Sequence, residues 1–225
     1  MKAFGDFTAV LMKDLRLEFR AREVLFSVLL FSVLAVVVLA FGFTWVGGQR
    51  NATYAPGALW LAVLFSATTG FNRFFDRERE NAAFVGILLT PVSKSALFLA
   101  KVTTQMVFML LTELVFVPLI LMFFNVRVTM PVLFLGELFF GTLAVVTVGT
   151  LFSALLMSAR VRDVLLPLVI FPLAIPVLLA GVKVSTLAFG APLAEDPWKW
   201  LHFSAGYDVI LLVLTVFIFD KTVKL

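Results

Sequence analysis

The chain reads as an all-α integral membrane protein with six transmembrane helices, an amphipathic interfacial helix at its N-terminus and a short cytoplasmic helix between spans two and three. Three observations carry this reading. Of the 225 residues, 62% are hydrophobic and 14% charged, whereas a soluble domain carries about a quarter charged residues. The apolar residues gather into six runs, five of them long enough for the roughly 20 residues a helix needs to cross the hydrocarbon. Lys and Arg are also distributed unequally between the two ends of those runs.

The elements follow in order. In residues 1–23, Phe4, Phe7, Leu11 and Leu15 recur at three- and four-residue spacing, while Lys2, Asp6, Lys13, Asp14 and Glu18 fill other faces. That pattern predicts an amphipathic helix along the inner leaflet. The first span covers 24–44, inside a charge-free stretch from Glu23 to Arg50. It is too long for a signal-peptide core of about 7–15 residues, so no cleaved leader is expected. The second span covers 55–74. The third, 97–124, contains Glu113, and the fourth, 131–157, contains Glu137. The fifth, 164–183, carries Pro167, Pro172 and Pro176. The sixth is the weakest, because Val209–Phe219 alone reaches only about 16 Å at the helical rise. Extended back it becomes 203–220, which places Asp208 at a membrane surface as an anchor. Residues 1–225 form a single membrane domain.

Orientation follows from the short loops, since cytoplasmic loops are enriched in Lys and Arg. With the N-terminus inside, only Arg50, Arg127, Lys183 and Lys199 fall outside, leaving fourteen of the 18 Lys and Arg on the inner side. Both termini are therefore expected in the cytoplasm.

Several function classes drop out. Cys is absent, which excludes disulfides, thiolate metal sites and cysteine nucleophiles. His202 is the single histidine, so no His cluster can form within one chain. The net charge of +4 is spread over the span ends, which suits a lipid bilayer and not a nucleic acid. Gly136 and Gly141 have P-loop spacing, but Thr142-Leu143 follows where Lys-Ser/Thr is needed, inside a span. The chain is not expected to be an enzyme.

The densest polar feature is the island from Phe75 to Lys94. Asp76, Arg77, Glu78, Arg79 and Glu80 are too closely charged for hydrocarbon. Phe84, Val85 and Leu88 then share one helical face, and Pro91 ends the segment. Ser93 or Ser95 can cap the next span. A solvated loop and a docking surface for a soluble partner both fit. Pro167, Pro172 and Pro176 act either as a gate or as a fixed kink, the kink being the commoner consequence of proline. Glu113 lies near the bilayer centre, where a carboxyl serves translocation or ties helices through a Thr, Ser or backbone group. Glu137 lies in the outer part of its span. Trp198 and Trp200, in an outer loop from Lys183 to Gly206, read as an aromatic belt. Ser66 with Gly70, and Gly149 with Ser153, have the spacing that lets helices approach closely.

Three motifs carry a resemblance. The island followed by Ser95-Ala-Leu-Phe-Leu-Ala-Lys101-Val is one. Lys13-Asp14-Leu-Arg16-Leu-Glu18-Phe-Arg20-Ala-Arg22-Glu23 near the N-terminus and Leu165-Leu166-Pro167-Leu-Val-Ile-Phe171-Pro172-Leu-Ala-Ile-Pro176-Val in the fifth span are the others. Together they resemble the CcmB family, the B subunit of the haem exporter of cytochrome c maturation, over essentially the whole chain. The resemblance implies a permease subunit of an ABC transporter in the bacterial cytoplasmic (inner) membrane. It implies that ATP is hydrolysed on a separate ATPase subunit, which docks on the island as a coupling helix. A haem-handling subunit and a haem chaperone are further implied partners, and the chain is read as a homodimer. No cofactor is assigned to the chain itself, and haem enters only as substrate. An axial haem contact would fall on His202, flanked by Trp198 and Trp200. Either haem is translocated, or ATP-driven motion releases a loaded haem chaperone, the second being favoured. Apart from the motifs, an export permease for lipid, drug or glycan fits equally well, and a non-transporting membrane scaffold is a further alternative.

Overall fold

The computed structural model of the chain describes residues 2–20, 22–44, 52–80, 92–157, 159, 161–191 and 196–222. Among these, seven α-helices and no strand occur. They are α1 (Lys2–Arg20), α2 (Arg22–Thr44), α3 (Ala55–Glu80), α4 (Lys94–Phe123), α5 (Pro131–Leu155), α6 (Arg162–Ala188) and α7 (Pro197–Thr222), with a short 3-10 turn, Ala52–Tyr54, leading into α3. Six of the helices, α2 to α7, are long and apolar enough to cross a membrane.

The ends of the helices have local causes. Ser93 is extended (φ −67°, ψ 131°), and its Oγ accepts the Ala96 N–H at 3.3 Å, capping α4. Asn125, with φ 52°, turns the chain out of α4 in the left-handed region that Asn tolerates. Pro131 opens α5 at a position where its missing donor costs nothing. Gly190, with φ 87°, ends the turn after α6. Helix α6 runs through Pro167, Pro172 and Pro176 without interruption, and α4 contains Pro118.

Two boundaries differ from the sequence reading. The stretch from Lys183 to Gly206, expected as an outer loop, is mostly helix. Helix α6 continues to Ala188, and α7 begins already at Pro197. The start is specified locally, since Asp196 Oδ1 accepts the Trp198 N–H at 3.1 Å and proline occupies the first helical position. Likewise α3 does not stop at the end of its apolar run but continues through Asp76–Glu80.

Helix α5 is the centre of the bundle and packs against α3, α4, α6 and α7. Its closest approach is built on Trp60 of α3. A Cβ at Gly141 of α5 would stand 2.1 Å from the Trp60 ring, and one at Gly181 of α6 would stand 2.3 Å from it. The indole thus fills a slot that exists only because both positions are glycine. Trp60 Nε1 also donates to Ser185 Oγ at 3.1 Å. Phe71 fills a similar notch at Gly149. The Ser32 and Ser66 hydroxyls, 2.6 Å apart, join α2 to α3. Of the small residues singled out by spacing, Gly149 and Ser66 therefore make close contacts, while Gly70 faces open space.

Helix α1 runs beside α4 in the same direction. The Ser93 N–H donates to Asp6 at 3.4 Å, Lys101 pairs with Asp14 at 2.9 Å, and Phe108 meets Phe19 at 5.5 Å between ring centroids. The faces of α1 differ from the expected amphipathic division. Phe7 and Leu11 pack inward as expected, but Asp14 and Glu18 are buried while Phe4, Met12, Leu17 and Phe19 are exposed. The reason is a partner that local periodicity cannot show, the ammonium of Lys101 from α4. Lys94 Nζ donates to the Asp220 carbonyl at 3.4 Å, so the start of α1, the start of α4 and the end of α7 share one end of the bundle.

Candidate functional site

Two places hold the polar residues that an apolar bundle does not need for folding. The first is the end of the bundle shared by both termini. There α3 continues through Asp76, Arg77, Glu78, Arg79 and Glu80 as unbroken helix. Phe84, Leu88 and Pro91, the rest of the expected docking segment, lie outside the described residues. Just before the charged run, Arg162 reaches across from the first residue of α6. It is only 2% exposed, and its Nη2 donates to the Phe71 carbonyl at 2.8 Å and to the Asn72 carbonyl at 3.2 Å. A buried guanidinium is tolerated only when hydrogen-bonded, and these carbonyls supply part of that. At the same end, Asp14 is shared by Lys101 at 2.9 Å and Lys13 at 3.0 Å. The sequence presents Arg162 as an orienting charge, and Lys101 as an orienting charge and the end of a family-like motif. Nothing in their local spacing marks them as buried struts, because their partners lie on other helices.

The second place is the bundle interior. Glu113 on α4 is 1% exposed, and its Oε1 accepts from Thr142 of α5 at 2.5 Å. Glu137 on α5 is fully buried, and its Oε1 accepts from Ser204 of α7 at 2.8 Å. Asp208, one turn after Ser204, is 3% exposed, and neither of its oxygens has a hydrogen-bond partner among the described residues. The sequence reading put Asp208 at a membrane surface. It is roughly 16 Å along α7 from Pro197 and buried against the bundle.

The remaining candidates lie apart. Helix α6 presents Leu166, Ile170, Ala174, Val177, Ala180 and Val184 inward at helical spacing. Pro167, Pro172 and Pro176 fall outside that buried stripe. Tyr207 of α7 donates to the Leu173 carbonyl at 2.8 Å, a neighbour's hydroxyl supporting the backbone of a proline-rich turn. His202 and Trp198 are exposed on the first turns of α7, with His202 Nδ1 at 2.6 Å from the Trp198 carbonyl. Trp200 instead lies under Lys183 Nζ, 3.9 Å from its ring centroid. Among the described residues, no group of three or more His, Cys, Asp or Glu could hold a metal ion.

Comparison with known proteins follows the same full-length pattern as the bundle. The chain is 28% identical over 222 residues to the Heme exporter protein B of Pseudomonas aeruginosa, an alignment covering 97% of this chain and 96% of the relative. It is 28% identical over 193 residues to the Heme exporter protein B of Rhodobacter capsulatus, covering 83% and 87%. It is 26% identical over 210 residues to that of Paracoccus denitrificans, covering 93% and 94%. The family profile described as CcmB protein matches residues 5–225, from the first turns of α1 past the end of α7, and the chain belongs to that family.

Proposed function

We propose that the chain is the membrane permease subunit of an ABC-type haem exporter that serves cytochrome c maturation. The observation that carries this is the family match over residues 5–225, with relatives named Heme exporter protein B aligned along nearly their whole length. Six apolar helices supply the membrane part. The sequence holds no P-loop, so the motor is a separate ATPase subunit. That ATPase docks on the segment that begins with Asp76–Glu80 and continues through Phe84, Leu88 and Pro91, on the cytoplasmic side of the inner membrane with both termini. Helix α1 lies at the same margin, its exposed Phe4, Met12, Leu17 and Phe19 turned toward lipid. The permease acts as a homodimer alongside a haem-handling subunit and a haem chaperone.

Within this function the reading favoured here is ATP-driven release of the loaded chaperone. What supports it is the tight closure of α3, α5 and α6 around the Trp60 indole. Removing the chain from its host and restoring it tests the assignment. Haem-stained c-type cytochromes should disappear and return, and an ATPase should copurify with the restored protein in mild detergent. Unchanged cytochromes after removal reject the reading.

A further inference from the structure

Accounting for the buried carboxyl oxygens exposes an imbalance between α5 and α7. Ser204 and Asp208 are four residues apart on α7 and so share one face. Glu137 on α5 stands against that face, accepting from Ser204 through Oε1. Glu137 Oε2, Asp208 Oδ1 and Asp208 Oδ2 have no hydrogen-bond partner among the described residues. Ser204, bonded to Glu137, lies one helical turn from Asp208, which sets the two carboxyls against the same stretch of the α5–α7 contact. A buried polar group left unpaired costs on the order of 1–3 kcal/mol, and more when charged. Acidic groups held inside a membrane protein at such cost mark ion or proton pathways.

Among the described residues, no salt bridge reaches Glu137 or Asp208. From α6, Lys183 stands over Trp200, roughly 12 Å along α7 from Asp208 at the helical rise. From α4, Glu113 is engaged by Thr142. Tyr207, beside Asp208, gives its hydroxyl to the Leu173 carbonyl. The missing element is a single donor placed between two acceptor-rich carboxyls. Two carboxyls and one hydroxyl are too few to enclose a metal ion, whereas a proton needs only one oxygen to hold it and one to receive its hydrogen bond.

We propose that Glu137, Ser204 and Asp208 form a proton-binding site between α5 and α7. Glu137 lies roughly 9 Å from the Pro131 end of α5 and Ser204 a similar distance from the Pro197 end of α7. The proton therefore comes from the aqueous side opposite the termini. With the proton in place, Asp208 and Glu137 share an O–H···O bond that fastens α7 to α5. Without it, two carboxylates face each other and the helices part. This gives the permease a response to the pH on that side, separate from any haem or ATP chemistry.

Infrared difference spectroscopy tests the site in the full chain with its copurifying partners, reconstituted in lipid bilayers and stepped in pH in H2O and D2O. A carboxylic C=O band should respond to pH and shift on deuteration. It should be lost in Asp208→Asn, move in frequency in Ser204→Ala, and be altered in Glu137→Gln. The wild-type spectrum is itself decisive, so a variant that misfolds does not rescue the idea. A wild-type protein with no pH-responsive carboxylic band rejects the site, as does a band unchanged by both Asp208→Asn and Glu137→Gln. A spectrum responding to sodium at fixed pH, and not to protons, would also overturn it.

Discussion

Arg162 holds Phe71. Its Nη2 donates to the Phe71 carbonyl at 2.8 Å, while the Phe71 ring fills the notch at Gly149. One residue of α3 is thereby fixed to both α5 and α6 immediately before the charged last turns of α3. A displacement of the end of α3 would meet α6 through this strut.

Replacing Arg162 with Ala removes hydrogen bonds from a charged donor, each worth about 1.5–3 kcal/mol. The protein should lose about that much stability in detergent thermal melts. ATPase stimulation should fall more than abundance does, and Arg162→Lys should restore it only in part, since an ammonium lacks the planar fork. Stimulation that simply tracks protein level would reduce Arg162 to a packing residue.

Gly181→Ala places a methyl 2.3 Å from the Trp60 indole in a slot already full. Overpacking of this kind costs about 1–3 kcal/mol, and the Trp60–Ser185 hydrogen bond should break with it. Combining Gly181→Ala with Trp60→Leu should cost less than the two changes summed, because the smaller side chain frees the space. Additive effects in a melting series would show that the two positions do not share the slot.

Glu113→Gln retains an acceptor for Thr142 in a side chain of the same shape. Cytochrome maturation should stay near normal at normal abundance, whereas Glu113→Leu should weaken assembly by removing the Thr142 bond. Lost maturation in Glu113→Gln with the protein present at wild-type levels would overturn the tie between α4 and α5.

Phe84→Asp and Leu88→Asp should abolish ATPase docking while leaving membrane insertion intact, because each puts a charge among the apolar residues proposed to meet the ATPase. Copurification of the ATPase with either variant at wild-type yield would remove those residues from the docking surface.

How much of this was legible depended on where the partners lie. The spans could be read because each is a local run of apolar residues long enough to cross. Helix α7 was read short because Trp198, Lys199 and His202 mix charge and aromatic character just where Asp196 and Pro197 start the helix. The division of faces on α1 failed at Asp14, whose partner Lys101 sits on α4. Glu113 stood out in the sequence because no other charge falls between Lys101 and Arg127. Asp208 did not, because its depth depends on the start of α7. Trp60 and Arg162 carried no signal at all, for their slot and their carbonyls are assembled from helices distant along the chain.

The slot around Trp60 also sets an order of events during synthesis. The indole is made with α3, but its two walls belong to α5 and α6, which emerge from the ribosome much later. Until both arrive, Trp60 has only lipid and earlier helices beside it, and its N–H lacks Ser185. The interior therefore closes only when α6 enters the membrane, and a chain stalled before that point would hold four inserted spans around an unfilled centre.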